Sequence, residues 1–297
     1  GVVIGSGMGG MEIFHDTTST LVARGPRRVS PFFVPTVIAN MIPGEVSMRL
    51  GWSGPNWSAV SACATSNHNI ISAIDQIRSG RADVMLAGGS EEGVCQIALA
   101  GFCTMKALST RNDEPHRASR PFDRDRDGFV IAEGGAVLCL ESREHAEARG
   151  AKILGRILGV GVSGDAYHMS QPREDGAGVM AAMEMALADA GLTIDDISYI
   201  NTHGTSTPLG DVAECTAIQR LFGEKSKQLK INSTKSMTGH ALGAAAGIEA
   251  IVVLKSLQDQ KLHPTINVEH QDEKITLDVC ANRAVDWKMD YAFSNSF

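Results

Sequence analysis

Apolar positions along the chain recur first at helical and then at strand spacing. Ile70, Ile71, Ile74 and Ile77 fall on one face of a helix that opens after Cys63, and Gly80 supplies its stop. The run Trp57–Val60 before Cys63 reads as a strand. Ala82–Ala87 reads as a second, closed by Gly88 and Gly89. The same order returns downstream, with a helix over 178–190, a stop at Gly191 and a strand at Ile197–Ile200 that enters Thr202-His203-Gly204-Thr205. A third unit follows: strand Lys230–Asn232, a loop through Lys235, then an Ala/Gly-rich helix from about His240 to Leu257. Alternation of this kind predicts an α/β protein with buried sheets. The first two units also resemble each other, a weak sign of internal duplication.

Cys63 stands at a strand-to-helix junction. A thiol there meets the positive end of a helix dipole, which favours the thiolate and makes a nucleophile. The alternative is a small buried hydrophobe, the usual state of a free cysteine. His203 follows a predicted strand, among Gly and hydroxyl residues, where open α/β sheets place ligands; a structural histidine is the alternative. His240 precedes a helix, with Lys235 in the same loop. Glu249 falls within the apolar helix, where a carboxylate is costly unless paired, and Lys235 or His240 is the natural partner. Such a set fits a cysteine hydrolase, a Cys/His/His zinc site, or an acyl-transfer enzyme whose two histidines stabilise an oxyanion. The residues give no sign that a metal is required.

Composition narrows the field. A net charge of −7 over 297 residues argues against a nucleic-acid-coating surface, while leaving room for a local basic patch. The six cysteines lack paired metal-ligand spacing and read as reduced thiols of a cytosol-like compartment. The most apolar stretch, 241–254, carries Glu249 and is too short for a membrane span. The opening Gly5-Ser6-Gly7-Met8-Gly9-Gly10 matches the dinucleotide glycine pattern. The segment 12–29 that follows offers neither a clean helix nor an acid-bearing second strand, so a structural Gly-rich turn is expected. The charged stretch 111–127, with Pro115 and Pro121, reads as a solvated or salt-bridge-laced loop. The chain starts as if inside a strand and stops abruptly at Phe297, and a fragment of a longer protein is expected.

Four segments in order, Ser61-Ala62-Cys63-Ala64-Thr65-Ser66, Arg120-Pro121-Phe122-Asp123 through Asp127-Gly128-Phe129, Thr202-His203-Gly204-Thr205, and Thr234-Lys235-Ser236 with Gly239-His240, resemble the elongating β-ketoacyl-acyl-carrier-protein synthases over essentially the whole chain. The resemblance implies a thiolase-like αβαβα layered sandwich of two duplicated halves. Residues 1–150 would be the remainder of the N-terminal half with Cys63, and 151–297 the C-terminal half with His203, Lys235 and His240. It implies Cys63 as acyl carrier, His203 and His240 as stabilisers of the enolate from malonyl decarboxylation, and Lys235 with Glu249 as their support. Asp211 and Glu214 become supporting charges. Thr205 and Thr207 would bond the phosphopantetheine arm, and Met8 and Phe33 would line the acyl tunnel of a homodimer. Arg27, Arg28 and Lys106 would dock the acyl carrier protein. No metal, nucleotide or flavin is implied, and the compartment is bacterial cytoplasm or plastid stroma. The family continues past Asn-Ser-Phe into a Gly-Phe-Gly-Gly loop that supplies the second oxyanion donor. A polyketide ketosynthase and a non-catalytic chain-length-factor subunit are the competing readings; retention of Cys63, both histidines and Lys235 argues against the latter.

Overall fold

The computed structural model describes residues 1–297. They form two compact units. Unit one comprises Gly1–Met105, Ile131–Ile153 and Ala241–Ile248; unit two comprises Lys106–Val130, Leu154–His240 and Glu249–Phe297.

In unit one, β1 (Val2–Gly5) is buried along its whole length, as a continuous apolar strand covered on both faces must be. It pairs in parallel with β2 (Asn56–Trp57) and β3 (Val84–Glu91), and β3 pairs antiparallel with β4 (Gly134–Glu141), giving the order β2-β1-β3-β4. Helices α1 (Met11–Arg24), α2 (Phe33–Val37), α3 (Met41–Leu50), α4 (Thr65–Arg78), α5 (Gln96–Thr104) and α6 (Arg143–Ala148) complete it. Helix α4 buries Ile70, Ala73 and Ile74, and the chain leaves it through Gly80 at φ +70°, a left-handed position that favours glycine.

Unit two carries α7 (Ala177–Ala190), β5 (Tyr199–Asn201), α8 (Gly210–Phe222), β6 (Lys230–Asn232) and α9 (Lys235–Thr238). Helix α10 (Ala245–Asp259) begins in unit one and has its remaining turns in unit two. A short antiparallel pair, β7 (Lys261–Leu262) with β8 (Val285–Asp286), and the strand β9 (Phe293–Ser294) follow, and β6-β5-β9 form a parallel sheet. Its core gathers Met183, Leu187, Ile200, Ile218, Phe222 and Ile231 between α7, α8 and the sheet.

Several sequence expectations are corrected. The predicted strand before Cys63 shrinks to Asn56–Trp57, because residues after it are held by side chains of α4 instead of a neighbouring strand. Strand β3 does not stop at Gly88-Gly89 but runs to Glu91; those glycines let backbones close in, since a Cβ on Gly89 would lie 2.4 Å from Gly243 O and from Ser66 Oγ. Residues 11–24, read as non-helical, form α1. Thr18 Oγ1 bonds back within the helix to Phe14 O at 2.8 Å, and the apolar residues Phe14 and Val22 stay exposed, so no buried stripe marks it. The helix expected from His240 starts at Ala245, after a tight turn over Leu242–Ala244.

Candidate active site

Unit one presents Cys63 in a single 3₁₀ turn, Ala62–Ala64, directly before α4. Ala62 has φ +49°, which costs a non-glycine residue about 1–2 kcal/mol. The strain persists because the surroundings fix the chain on both sides. Asn69, fully buried on α4, accepts from Ala59 N at 2.9 Å and donates to Ala59 O and Thr65 O. Thr65 Oγ1 accepts from Ser61 N, and Ser61 Oγ is 2.5 Å from His68 Nδ1. Cys63 itself is partly exposed, which suits a nucleophile better than a packing residue.

The Gly-rich turn lies in the same unit. Buried Glu91 accepts from Ser6 Oγ (2.6 Å), Gly7 N (2.7 Å), Met8 N (3.2 Å) and Gly243 N (2.9 Å). The amides a nucleotide phosphate would need are therefore taken by the chain's own carboxylate, as the structural reading of this turn expects. Met8 is half-buried. Phe33 starts α2 and packs its ring 6.0 Å from that of Phe14. Arg27 and Arg28 are exposed on a short turn after α1.

Unit two brings His203, His240, Lys235, Glu249, Asp211 and Glu214 together. His203 follows β5, and its loop is clamped by Glu214 of α8, which accepts from His203 N and Gly204 N at 2.9 Å each. Asp211 accepts from Ser206 N (3.1 Å) and Phe122 N (2.9 Å). Burial pushes the Asp211 carboxyl up to about 6 and that of Glu214 up to about 7, against the hydrogen bonds that hold them. Thr205 Oγ1 lies 3.0 Å from Thr207 Oγ1, and Lys106 is exposed.

His203 and His240 stand edge to face, ring centroids 5.3 Å apart at 86°. Phe129 packs edge-on against His240 at 5.3 Å, and Phe297 lies 4.6 Å from His203. Burial holds both imidazoles well below their ordinary pKa; the Lys235 cation depresses both further, and His240 adds to the effect on His203. Both rings are therefore neutral near pH 7. Lys235 Nζ donates to Glu249 Oε1 at 2.5 Å, so of the two partners the sequence offers it is Lys235 that pairs. Burial raises the Glu249 carboxyl to about 7, with the Lys235 charge and hydrogen bond opposing.

The charged stretch 111–127 is laced with ion pairs, as expected, Glu114 pairing with both Arg111 and Arg117, but it is not solvated throughout. Arg120, Asp123 and Arg126 are buried. Arg120 Nε donates to Asp123 Oδ1 (3.0 Å), and Asp123 Oδ2 accepts from Glu269 N and His270 N. Arg126 donates to Thr207 O, Pro208 O and Asp272 Oδ2. Ser119 Oγ donates to Lys235 O at 2.7 Å, so this segment braces the turns of both His203 and Lys235. The local Arg120–Asp123 pair is joined by partners 80 or more residues away, and together they offset the cost of burying these charges.

Comparison with known proteins gives the family. The β-ketoacyl synthase N-terminal domain matches residues 1–146 and the C-terminal domain matches residues 154–269. The chain belongs to the β-ketoacyl synthase family. The whole of this synthase is 52% identical over 300 residues to 3-oxoacyl-[acyl-carrier-protein] synthase 2 of Vibrio cholerae, covering 72% of that protein. It is 50% identical to the synthase of the same name from Staphylococcus aureus, covering 73% of it. Among solved structures, a β-ketoacyl synthase from Burkholderia phymatum superposes with TM-score 0.93 at 39% identity, covering 99% of this chain and 71% of that one. A type II polyketide ketosynthase in complex with its acyl-carrier protein and a bound hexaketide gives 0.96 at 34% identity, covering 100% and 74%. The synthase thus has the thiolase-like layered α/β fold that its motifs imply.

Proposed function

We propose that the chain catalyses the decarboxylating Claisen condensation of acyl-ACP with malonyl-ACP, forming β-ketoacyl-ACP in fatty-acid elongation. The observation that carries the site assignment is the buried, edge-to-face pair of His203 and His240 in the same unit as the buried Lys235–Glu249 ion pair. Neutral rings can donate hydrogen bonds without a net charge of their own to neutralise, and in a dry site one such donor lowers a barrier by about 2.7–4 kcal/mol.

In the first stage the Cys63 thiolate attacks the acyl thioester carbonyl and the phosphopantetheine thiolate leaves, with the Cys63 N–H as one oxyanion donor. In the second, the C–CO₂ bond of malonyl-ACP breaks and its electron pair becomes an enolate, whose oxygen accepts from His203 and His240. The enolate carbon then attacks the Cys63 thioester, the C–S bond breaks, and the thiolate is restored. Burial and the Lys235 charge keep the imidazoles neutral and Glu249 fixes Lys235, while Glu214 and Asp211 hold the loop of His203. Thr205 and Thr207 would hold the phosphopantetheine arm and Met8 and Phe33 the acyl chain.

The fatty-acid reading is preferred over the polyketide one because identity reaches 52% with a 3-oxoacyl-[acyl-carrier-protein] synthase and 34% with the polyketide ketosynthase. The partner is an acyl carrier protein, with exposed Arg27, Arg28 and Lys106 as its acidic surface's contacts. Exposed Phe14, Val22, Phe32 and Val34 on and beside α1 and α2 suit a second copy of the chain, consistent with a homodimer. No helix is long and apolar enough to cross a membrane; bacterial cytoplasm or plastid stroma is the proposed location. Incubation with acyl-ACP and malonyl-ACP tests the reading: a β-ketoacyl-ACP two carbons longer and one CO₂ are expected, and neither appearing would contradict it.

A further inference from the structure

Unit two also holds a largely buried polar chain that no step of the proposed reaction uses. It joins the ends of β5 and β6 and finishes on His263, just after β7. Asn232 Nδ2 donates to His263 O at 2.7 Å, which fixes the amide and leaves Asn232 Oδ1 as an acceptor. Tyr199 Oη donates to that oxygen at 2.7 Å and Asn201 Nδ2 at 3.1 Å. The Asn201 amide is therefore oriented too, and its nitrogen also donates to Thr234 Oγ1 at 3.0 Å. Thr234 Oγ1 lies 3.0 Å from His263 Nε2, and His263 Nδ1 lies 2.9 Å from Pro264 O.

These bonds have one consistent direction. A carbonyl only accepts, so Nδ1 carries the proton and Nε2 is a bare acceptor. The Thr234 hydroxyl, already accepting from Asn201, gives its single proton to Nε2. The Thr234 hydroxyl proton has this acceptor only while His263 is neutral and Nδ1-protonated. Burial favours that neutral form. The chain also reaches the catalytic turns by direct sequence adjacency: Asn201 is two residues before His203, and Thr234 immediately precedes Lys235.

We propose that His263 is a positioning residue for decarboxylation: its Nε2 terminates the hydrogen-bond chain through Thr234, Asn201 and Asn232 that holds the His203 and Lys235 turns in their reactive geometry. This rests on the reading that His203 and His240 stabilise the enolate. His263 touches no reacting atom, so its loss acts through placement. A displacement of about 1 Å in such a site can cost on the order of 100-fold in rate, and a smaller one proportionately less.

The test measures malonyl-ACP decarboxylation, with Cys63 alkylation by iodoacetamide and thermal unfolding followed in parallel. His263→Leu removes the acceptor, whereas His263→Gln can place an amide oxygen near Nε2. The expected result is a kcat for decarboxylation lowered by about tenfold or more in His263→Leu, with KM changed by less than about twofold. Alkylation of Cys63 stays at its wild-type rate, and His263→Gln regains most of the lost kcat. Should His263→Leu not fold, Thr234→Val breaks the same bond from the other side and carries the same expectation. Wild-type decarboxylation in the Leu variant would overturn the proposal. Equal losses in Leu and Gln variants, or alkylation falling in step with decarboxylation, would overturn it as well. His203→Ala runs alongside: wild-type decarboxylation there sinks the reading of the histidine pair itself, whereas its loss with an unaffected His263→Leu sinks only the role of His263.

Discussion

Lys235 and Glu249 form an ion pair, Nζ to Oε1 at 2.5 Å, with each residue only 1% exposed. Neither charge has water to fall back on, so each depends on the other. Truncating one partner of such a pair costs about 3–5 kcal/mol, whereas replacing both by apolar groups is close to neutral. Lys235→Met and Glu249→Leu are each expected to lower stability by that amount in urea unfolding. The double variant is expected to recover most of it yet remain inactive in condensation, because the histidines lose their support. A double variant as unstable as either single one would show that the pair is not an isolated unit.

Glu214 gives a pH signature. Burial raises its carboxyl from 4.5 to about 7 in the folded chain, so between these values the native state holds a proton that the unfolded chain has released. The contribution is fully present below about 4.5 and is lost as pH rises through about 7. At about 1.36 kcal/mol per pKa unit it amounts to on the order of 3 kcal/mol. Glu214→Gln should remove this component, so the stability difference between wild type and variant should shift toward the variant from pH 5 to pH 7.5. A difference independent of pH would contradict the assignment.

Two glycines of unit one separate close packing from mere propensity. A Cβ on Gly89 would lie 2.4 Å from Gly243 O and Ser66 Oγ, while one on Gly101, inside α5, meets nothing within 4 Å. Gly89→Ala is expected to destabilise by at least about 1–3 kcal/mol. Gly101→Ala should stabilise by roughly 0.5–1 kcal/mol through helix propensity. Thermal unfolding of the two variants checks both signs.

The sequence carried its strongest signals where local chemistry and tertiary role coincide. Helix α4 was legible from its isoleucine spacing and Gly80, and Lys235 with Glu249 from the cost of a carboxylate in an apolar helix. His203 and His240 were legible as histidines in turns at element ends. Helix α1 was not, because its Thr- and Ser-rich surface buries no stripe in this chain. The burial of Arg120, Asp123 and Arg126 was hidden by distance: their partners, such as Asp272 and the carbonyls of Thr207 and Pro208, lie far along the sequence. His263 was hidden for a different reason. A lone histidine before a proline has no motif, and its value comes only from which atoms meet its two ring nitrogens.

The central claim is that Cys63 carries the acyl group and the histidine pair makes the nucleophile that removes it. A single-turnover chase followed by mass spectrometry tests it most directly. After acyl-ACP alone, the acyl mass is expected on Cys63 in both wild type and His203→Ala. After malonyl-ACP is added, wild type should lose that mass as β-ketoacyl-ACP appears, while the variant retains it. Acylation of any other residue, or a variant that clears Cys63 at the wild-type rate, would contradict the account.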